Sequence, residues 1–239
     1  MAQMPPPSSP DPVAGAPAPA SQRDRIIAAF MTILAARPIE DIGYAEIAAR
    51  AEISLSELRG EFGSKLAILA AFIKDVDRKV LDGIDIDMAS EPARERLFDV
   101  LMRRIEILAP HKNAIRSLMR SAQTDPCLAV ALNGMAVQTQ RWMLTAADID
   151  ASGSRGMVRA QGTALLFARV LQTFVRDDDP GHARTMAALD RQLSRGERMA
   201  GVLDQLCRFV PSRFLSRGWR SRRDRDMRDT GLGDDAVPV

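Results

Sequence analysis

The stretch from Arg23 to Leu69, RDRIIAAFMTILAARPIEDIGYAEIAARAEISLSELRGEFGSKLAIL, constrains the fold more than any other part of the chain. Ile26, Ile27, Phe30, Ile33 and Leu34 recur at the spacing of one helical face, which predicts a first amphipathic helix ended by Pro38. Tyr44 to Arg50 reads as a second, short helix with Gly43 at its N-cap, offering Tyr44, Ile47 and Ala48 to the same core. The tight link Ala51-Glu52-Ile53 follows. Ser54 and Glu57 then have the S-x-x-E spacing of a capping box, which opens a helix of barely two turns, Leu55 to Glu61. Two short helices joined by a three-residue turn and braced by a longer helix in front describe a helix-turn-helix.

The order and spacing of these signals resemble the TetR family of transcriptional regulators. Ile47-Ala48 stands at that family's Ile-Ala pair, Ser54 at the serine opening its recognition helix, and Phe62-Gly63-Ser64-Lys65 at its hinge into the fourth helix. The resemblance implies an all-α chain with an N-terminal three-helix head and a larger C-terminal helical domain for ligand binding and dimerisation. It also implies a double-stranded DNA partner, a small apolar effector and a homodimer. The residues it points to for DNA are Arg23, Ser54, Leu55, Ser56, Arg59 and Lys65. For Arg23, a solvated helix start is the competing reading, and Ser54 is a cap before it is a phosphate contact. Two departures stand out. Glu52 occupies the turn position where the family has glycine, and Arg59-Gly60-Glu61 replaces the family's tyrosine and following aromatic, histidine or basic residue. Arg59 suits a phosphate contact, but Glu57 and Glu61 leave the recognition helix net negative, a poor footprint for a polyanion.

At 239 residues the chain has room for one small and one larger helical domain. We expect a Pro/Ala-rich disordered tail over 1–20, the helix-turn-helix domain over 21–69, the ligand and dimerisation domain over 70–210, and an Arg-rich tail over 211–239. The fourth helix is expected from Ser64 to about Leu81, and a fifth from near Pro92 with Leu97, Val100, Leu101, Ile105 and Leu108 on one side. Asp125-Pro126 and Asp179-Pro180 each read as an N-cap followed by proline at the first helical position. Arg155 to Arg176 is expected as a helix apolar over most of its circumference, hence buried on several sides. The TetR resemblance implies that the last two long helices pack against their copies in a second protomer. Met102, Met119, Met135, Trp142, Phe167 and Phe174 are candidates for an apolar ligand pocket, ordinary core being the competing reading.

A second resemblance lies in this half. The Trp142-to-Ala147 segment, the acidic bend Asp177-Asp178-Asp179, Thr185 and Leu189-Asp190-Arg191 are similar to the TetR-like, lipid-binding accessory family of ubiquinone biosynthesis. It implies an alternative function: a protein that kept the fold, binds lipid and lost DNA.

No enzyme constellation is present: neither a nucleophile elbow nor a phosphate-cradling glycine loop, and no nucleophile–base pair. We expect neither a metal nor a cofactor, since His111 and His182 lack partners at ligand spacing. Cys127 and Cys207 stand alone, which reads as a reducing cytoplasm. The formal net charge of +2 is too small to argue for nucleic acid by itself. No apolar run approaches a membrane span, and the first residues lack the form of a signal peptide. The tail RFVPSRFLSRGWRSRRDRDMR places Leu215 and Trp219 four apart among arginines, a pattern suited to membrane-surface contact. Gly218, Asp224 and Asp226 support the alternative, a solvated end.

Overall fold

A computed structural model describes residues 21–209, and the two tails expected at 1–20 and 211–239 lie outside the described residues. The described residues form α-helices joined by short turns: α1 (Gln22–Ala36), α2 (Tyr44–Arg50), α3 (Leu55–Glu61), α4 (Lys65–Asp82), α5 (Ala93–Leu108), α6 (Lys112–Thr124), α7 (Pro126–Ala146), α8 (Gly153–Phe174) and α9 (Ala183–Phe209). The chain divides into two compact units, 1–193 and 194–239. The first contains α1 to α8 and the start of α9; of the second, the described part is the continuation of α9.

The helix boundaries follow from local chemistry. Ser21 and Asp24 form a reciprocal capping box at the start of α1, and Ser64 caps α4 by accepting the Ala67 N–H at 3.1 Å. Asp125 caps α7 by accepting from the N–H groups of Cys127 and Leu128, with Pro126 at the first helical position. At the end of α7 the N–H of Asp148 reaches Thr145 and that of Ile149 reaches Leu144, a Schellman stop with Asp148 left-handed at φ 54°.

One apolar core runs through the first unit. Ile26, Phe30 and Leu34 of α1 meet Ile47 of α2 and Ile68 and Leu69 of α4, and the same cluster continues through Leu101, Ile105, Met143 and Phe174. The most extensive helix pairings are α1 with α6 and α7 with α8. The head is therefore not carried on α4 alone. Ser117 Oγ of α6 donates to the Arg37 carbonyl at 2.8 Å, and Ser121 Oγ accepts the Ile39 N–H at 3.4 Å.

Three sequence expectations are corrected. Tyr44 is 46% exposed rather than core, because α2 is only two turns long and Ile47 and Ala48 fill its buried side. Asp179-Pro180 does not start a helix. Asp179 instead caps a turn, accepting from Gly181 and Ala183, and left-handed His182 delays α9 to Ala183. The helix centred on Leu165 is buried on one side only: Val158, Leu165 and Ala168 are exposed, while Ala164, Phe167 and Phe174 are buried. α6, which the spacing of Ala114, Ile115, Leu118 and Met119 encodes, was not anticipated.

The acidic bend holds the chain between α8 and α9. Asp177, buried, accepts the Thr185 N–H at 2.9 Å and the Thr185 hydroxyl at 2.7 Å. Burial alone would raise its carboxyl, but the bonds from Thr185 and from the Asp179 N–H outweigh it and hold it below the ordinary value. From α6, Arg116 Nε donates to the Val175 carbonyl at 3.1 Å and Lys112 Nζ to that of Asp177 at 2.5 Å, satisfying carbonyls beyond the end of α8.

Candidate functional site

Two features of the first unit are candidates: the exposed surface of α3 and a chamber among the helices behind the head. The turn into α3 is a Schellman stop of α2. The Glu52 N–H reaches Ala49, the Ile53 N–H reaches Ala48, and Glu52 is left-handed at φ 55°. Glu52 therefore adopts the strained conformation that its position implied, without a glycine. The capping box is formed: the Ser54 hydroxyl accepts the Glu57 N–H at 3.1 Å, and Glu57 accepts the Ser54 N–H at 2.7 Å. Hydrogen bonding from Ser54, its backbone first and its side chain second, holds the Glu57 carboxyl below the ordinary range, with the charge of Arg25 adding to it.

Leu58 and Phe62 seat α3 in the core. Ser54, Leu55, Ser56 and Arg59 all remain exposed, Leu55 by 54%. Arg23 joins this surface from α1, its guanidinium 4.6 Å from the centre of the Phe62 ring. Lys65 is placed differently. Its ammonium turns inward and donates to the carbonyls of Ile39 at 2.6 Å, Ile42 at 3.1 Å and Glu40 at 3.5 Å. It thereby ties the first turn of α4 to the link between α1 and α2. From Ser21 to Lys65 the chain carries six basic and seven acidic side chains, so Arg23, Arg25 and Arg59 stand in a head without excess positive charge.

The chamber measures about 350 Å³ and takes lining residues from α1, α4, α5, α6, α7 and α8. This is near the low end of the ~300–1,000 Å³ typical of small-molecule sites. Met31, Leu69, Phe72, Leu118 and Leu171 are among its apolar lining. Exposed Asn133, Leu165, Ala168 and Gln172 also line it, so it opens along α7 and α8. There Asn133 and Gln161 exchange amide hydrogen bonds of 3.1 and 3.0 Å between the two helices.

Of the candidate ligand residues, Met119 and Phe167 line this chamber, whereas Met102, Met135 and Phe174 do not. Phe174, fully buried, is packed instead against the His182 ring and Lys112. Trp142 is half-exposed and lines a separate cleft with Asp148 to Ser152 at the end of α7.

The sequence reading missed the buried polar side chains that line the chamber, Arg104, Thr139 and Gln140. Arg104 is 5% exposed and forms an ion pair with Asp77 of α4. Thr139 Oγ1 donates to Asp77 Oδ2 at 3.0 Å, and the Arg104 guanidinium lies 6.0 Å from the Phe167 ring centre. Burial pushes the Arg104 pKa down, and the charge and hydrogen bond of Asp77 oppose it. Gln140 is 1% exposed, lines the chamber, and its Oε1 has no hydrogen-bond partner. A signal for this set was present. Arg104 sits three residues after Leu101 and four before Leu108, a charge placed on an apolar stripe, as Asp77 is between Ile73 and Val80.

Among the described residues no group of three or more His, Cys, Asp or Glu side chains is arranged to hold a metal ion, and no helix is long and apolar enough to cross a membrane. Comparison with known proteins establishes the architecture. No protein-family model and no curated protein sequence matches the chain. Solved structures do. A TetR transcriptional regulator from Nitrosomonas europaea superposes with a TM-score of 0.58 at 21% identity, over 72% of this chain and 96% of that one. A structure assigned to the TetR regulator family, from Rhodococcus sp., superposes with a TM-score of 0.52 at 19% identity, over 74% and 96% of the two chains. The chain has the TetR-type fold, an N-terminal helix-turn-helix head followed by a larger helical domain.

Proposed function

We propose that the protein is a DNA-binding transcriptional regulator of TetR type, acting as a ligand-responsive repressor. The observation that carries this reading is the sharing of α4 between head and chamber. Lys65 at its start grips the head's linker, Leu69, Phe72 and Ile73 line the chamber, and Asp77 meets the buried Arg104. A ligand that fits one position of α4 better than another shifts the population of head positions by its differential affinity. In this reading residues 21–69 contact DNA through Arg23, Ser54, Leu55, Ser56 and Arg59, with Lys65 positioning the head. Residues 70–210 bind the effector and dimerise. The exposed apolar side chains Val158 and Leu165 of α8 and Met186 of α9 support a homodimer contact.

The test is enrichment of pooled genomic fragments, including the gene's own upstream region, at two salt concentrations with competitor DNA. Selective, salt-dependent enrichment is expected, and Arg59→Ala is expected to reduce the salt slope by about one. An unchanged slope sinks the assignment of Arg59.

A second reading is favoured by one observation, the acidic balance of the head. Seven acidic against six basic side chains, with ionised Glu57 at the start of α3, suit a protein that kept the fold as a lipid-binding accessory factor and lost DNA. It requires isoprenoid or phospholipid in an organic extract of the purified protein, together with no DNA enrichment even at low salt.

A further inference from the structure

The chemistry of the chamber's buried polar side chains defines the ligand more narrowly than its apolar walls do. Arg104 already has a counter-charge in Asp77, and Thr139 supplies that carboxylate with a further hydrogen bond. An anionic ligand would add a second negative charge beside the largely buried Asp77, which costs more than one Arg104 repays. A wholly apolar ligand would leave Gln140 Oε1 buried without a donor. A neutral head that both donates and accepts fits these side chains: its O–H donates to Gln140, and its oxygen accepts from the guanidinium of Arg104.

We propose that the chamber binds an apolar molecule of medium length ending in one neutral hydroxyl, an alcohol or phenol, and that Gln140 and Arg104 read that hydroxyl. The inference rests on the ligand-binding reading of the chamber and is independent of DNA. At ~30 Å³ per water-sized group, the chamber holds roughly a dozen non-hydrogen atoms, which matches a ten-carbon chain with its hydroxyl. The rim fits an apolar body, since Leu165 and Ala168 stand where the chamber opens.

The experiment titrates the full-length protein calorimetrically with n-decanol and with decanoate at neutral pH, in the wild type and in Gln140→Leu. The wild type is expected to bind decanol about tenfold or more tightly than decanoate. Gln140→Leu keeps a similar volume and removes the orphaned carbonyl, so it is expected to fold at least as stably, verified by its melting temperature. It is expected to bind decanol about tenfold more weakly. Equal decanol binding by wild type and variant, or preference for decanoate, overturns the hydroxyl assignment and leaves the ligand-binding reading standing. Failure of both probes to bind the wild type overturns both, whatever the protein does with DNA. Should Gln140→Leu unfold, Arg104→Lys is measured instead. It retains the charge opposite Asp77 but loses the guanidinium fork, and undiminished decanol binding there also overturns the proposal.

Discussion

In the head, Ser54 and Glu57 satisfy each other's backbone N–H groups three residues apart and stand exposed to solvent. Beside the chamber, the largely buried Asp77 meets Arg104 from 27 residues away and Thr139 from 62 residues away. The two polar clusters have similar chemistry and opposite dependence on the rest of the molecule. A capping box needs one turn of helix and is worth about 1 kcal/mol wherever that helix forms. A buried ion pair exists only when three helices are already packed. Losing one member leaves an uncompensated charge in a low-dielectric site, which is several times more costly. The cap of α3 is thus a short-range part, whereas the Asp77, Arg104 and Thr139 cluster depends on all of its members at once.

The sharpest way to break this comparison is Asp77→Ala. Removing the counter-charge of Arg104 is expected to destabilise the protein by about 3–5 kcal/mol in urea unfolding, and pairing it with Arg104→Met is expected to recover most of that loss. A loss as small as that of a surface ion pair would mean that Arg104 escapes to solvent, and the contrast would vanish.

Next in size is Thr185→Val, expected to cost about 2 kcal/mol by withdrawing a hydroxyl donor from the buried Asp177 carboxylate. The folded-state pKa of Asp177 is depressed, so its contribution is present above the ordinary carboxylate value and is lost as pH falls through the folded value. Without the hydroxyl that folded value rises. The variant is therefore expected to lose stability at a higher pH than the wild type in acid titration followed by circular dichroism. Coincident acid limbs would show that the Thr185 hydroxyl does not hold Asp177.

Ser54→Ala is expected to cost about 1 kcal/mol through loss of the α3 cap. It should also return the Glu57 carboxyl toward its ordinary value, seen by carboxyl NMR titration. The smallest effect is a gain. Gly60 lies in exposed α3 with open space where a Cβ would stand, so Gly60→Ala is expected to stabilise the head by about 0.5–1 kcal/mol. Destabilisation there would show that α3 is not the regular helix described.

The head was legible because its determinants are local. The Ser54 and Glu57 spacing places α3 and Pro38 bounds α1, while the left-handed turn at Glu52 follows from the TetR resemblance rather than from its own residues. Asp125-Pro126 was legible for the same reason. Asp179-Pro180, the same dipeptide type, misled: the nearby carboxylate Asp177 bonds Thr185 and redirects the chain, an interaction no dipeptide encodes. For Tyr44, periodicity gives the face a residue shares but not how far the neighbouring helix extends over it. Trp142, Met102, Met135 and Phe174 share residue type, not place. Only the packing of the helices separates a cleft residue, a core residue and a chamber residue of the same kind.

By itself the sequence determined the helices of the head, their caps, and the order that places a short helix-turn-helix ahead of longer amphipathic helices. Each is decided within a few residues by backbone hydrogen bonding and by the spacing of apolar side chains. Tertiary structure alone decided that Lys65 faces carbonyls, that Arg104 finds Asp77, and that Gln140 Oε1 is buried without a hydrogen-bond partner. Those outcomes depend on which helix faces which, and a polar group's partner and degree of burial are properties of the packed assembly rather than of any segment in it.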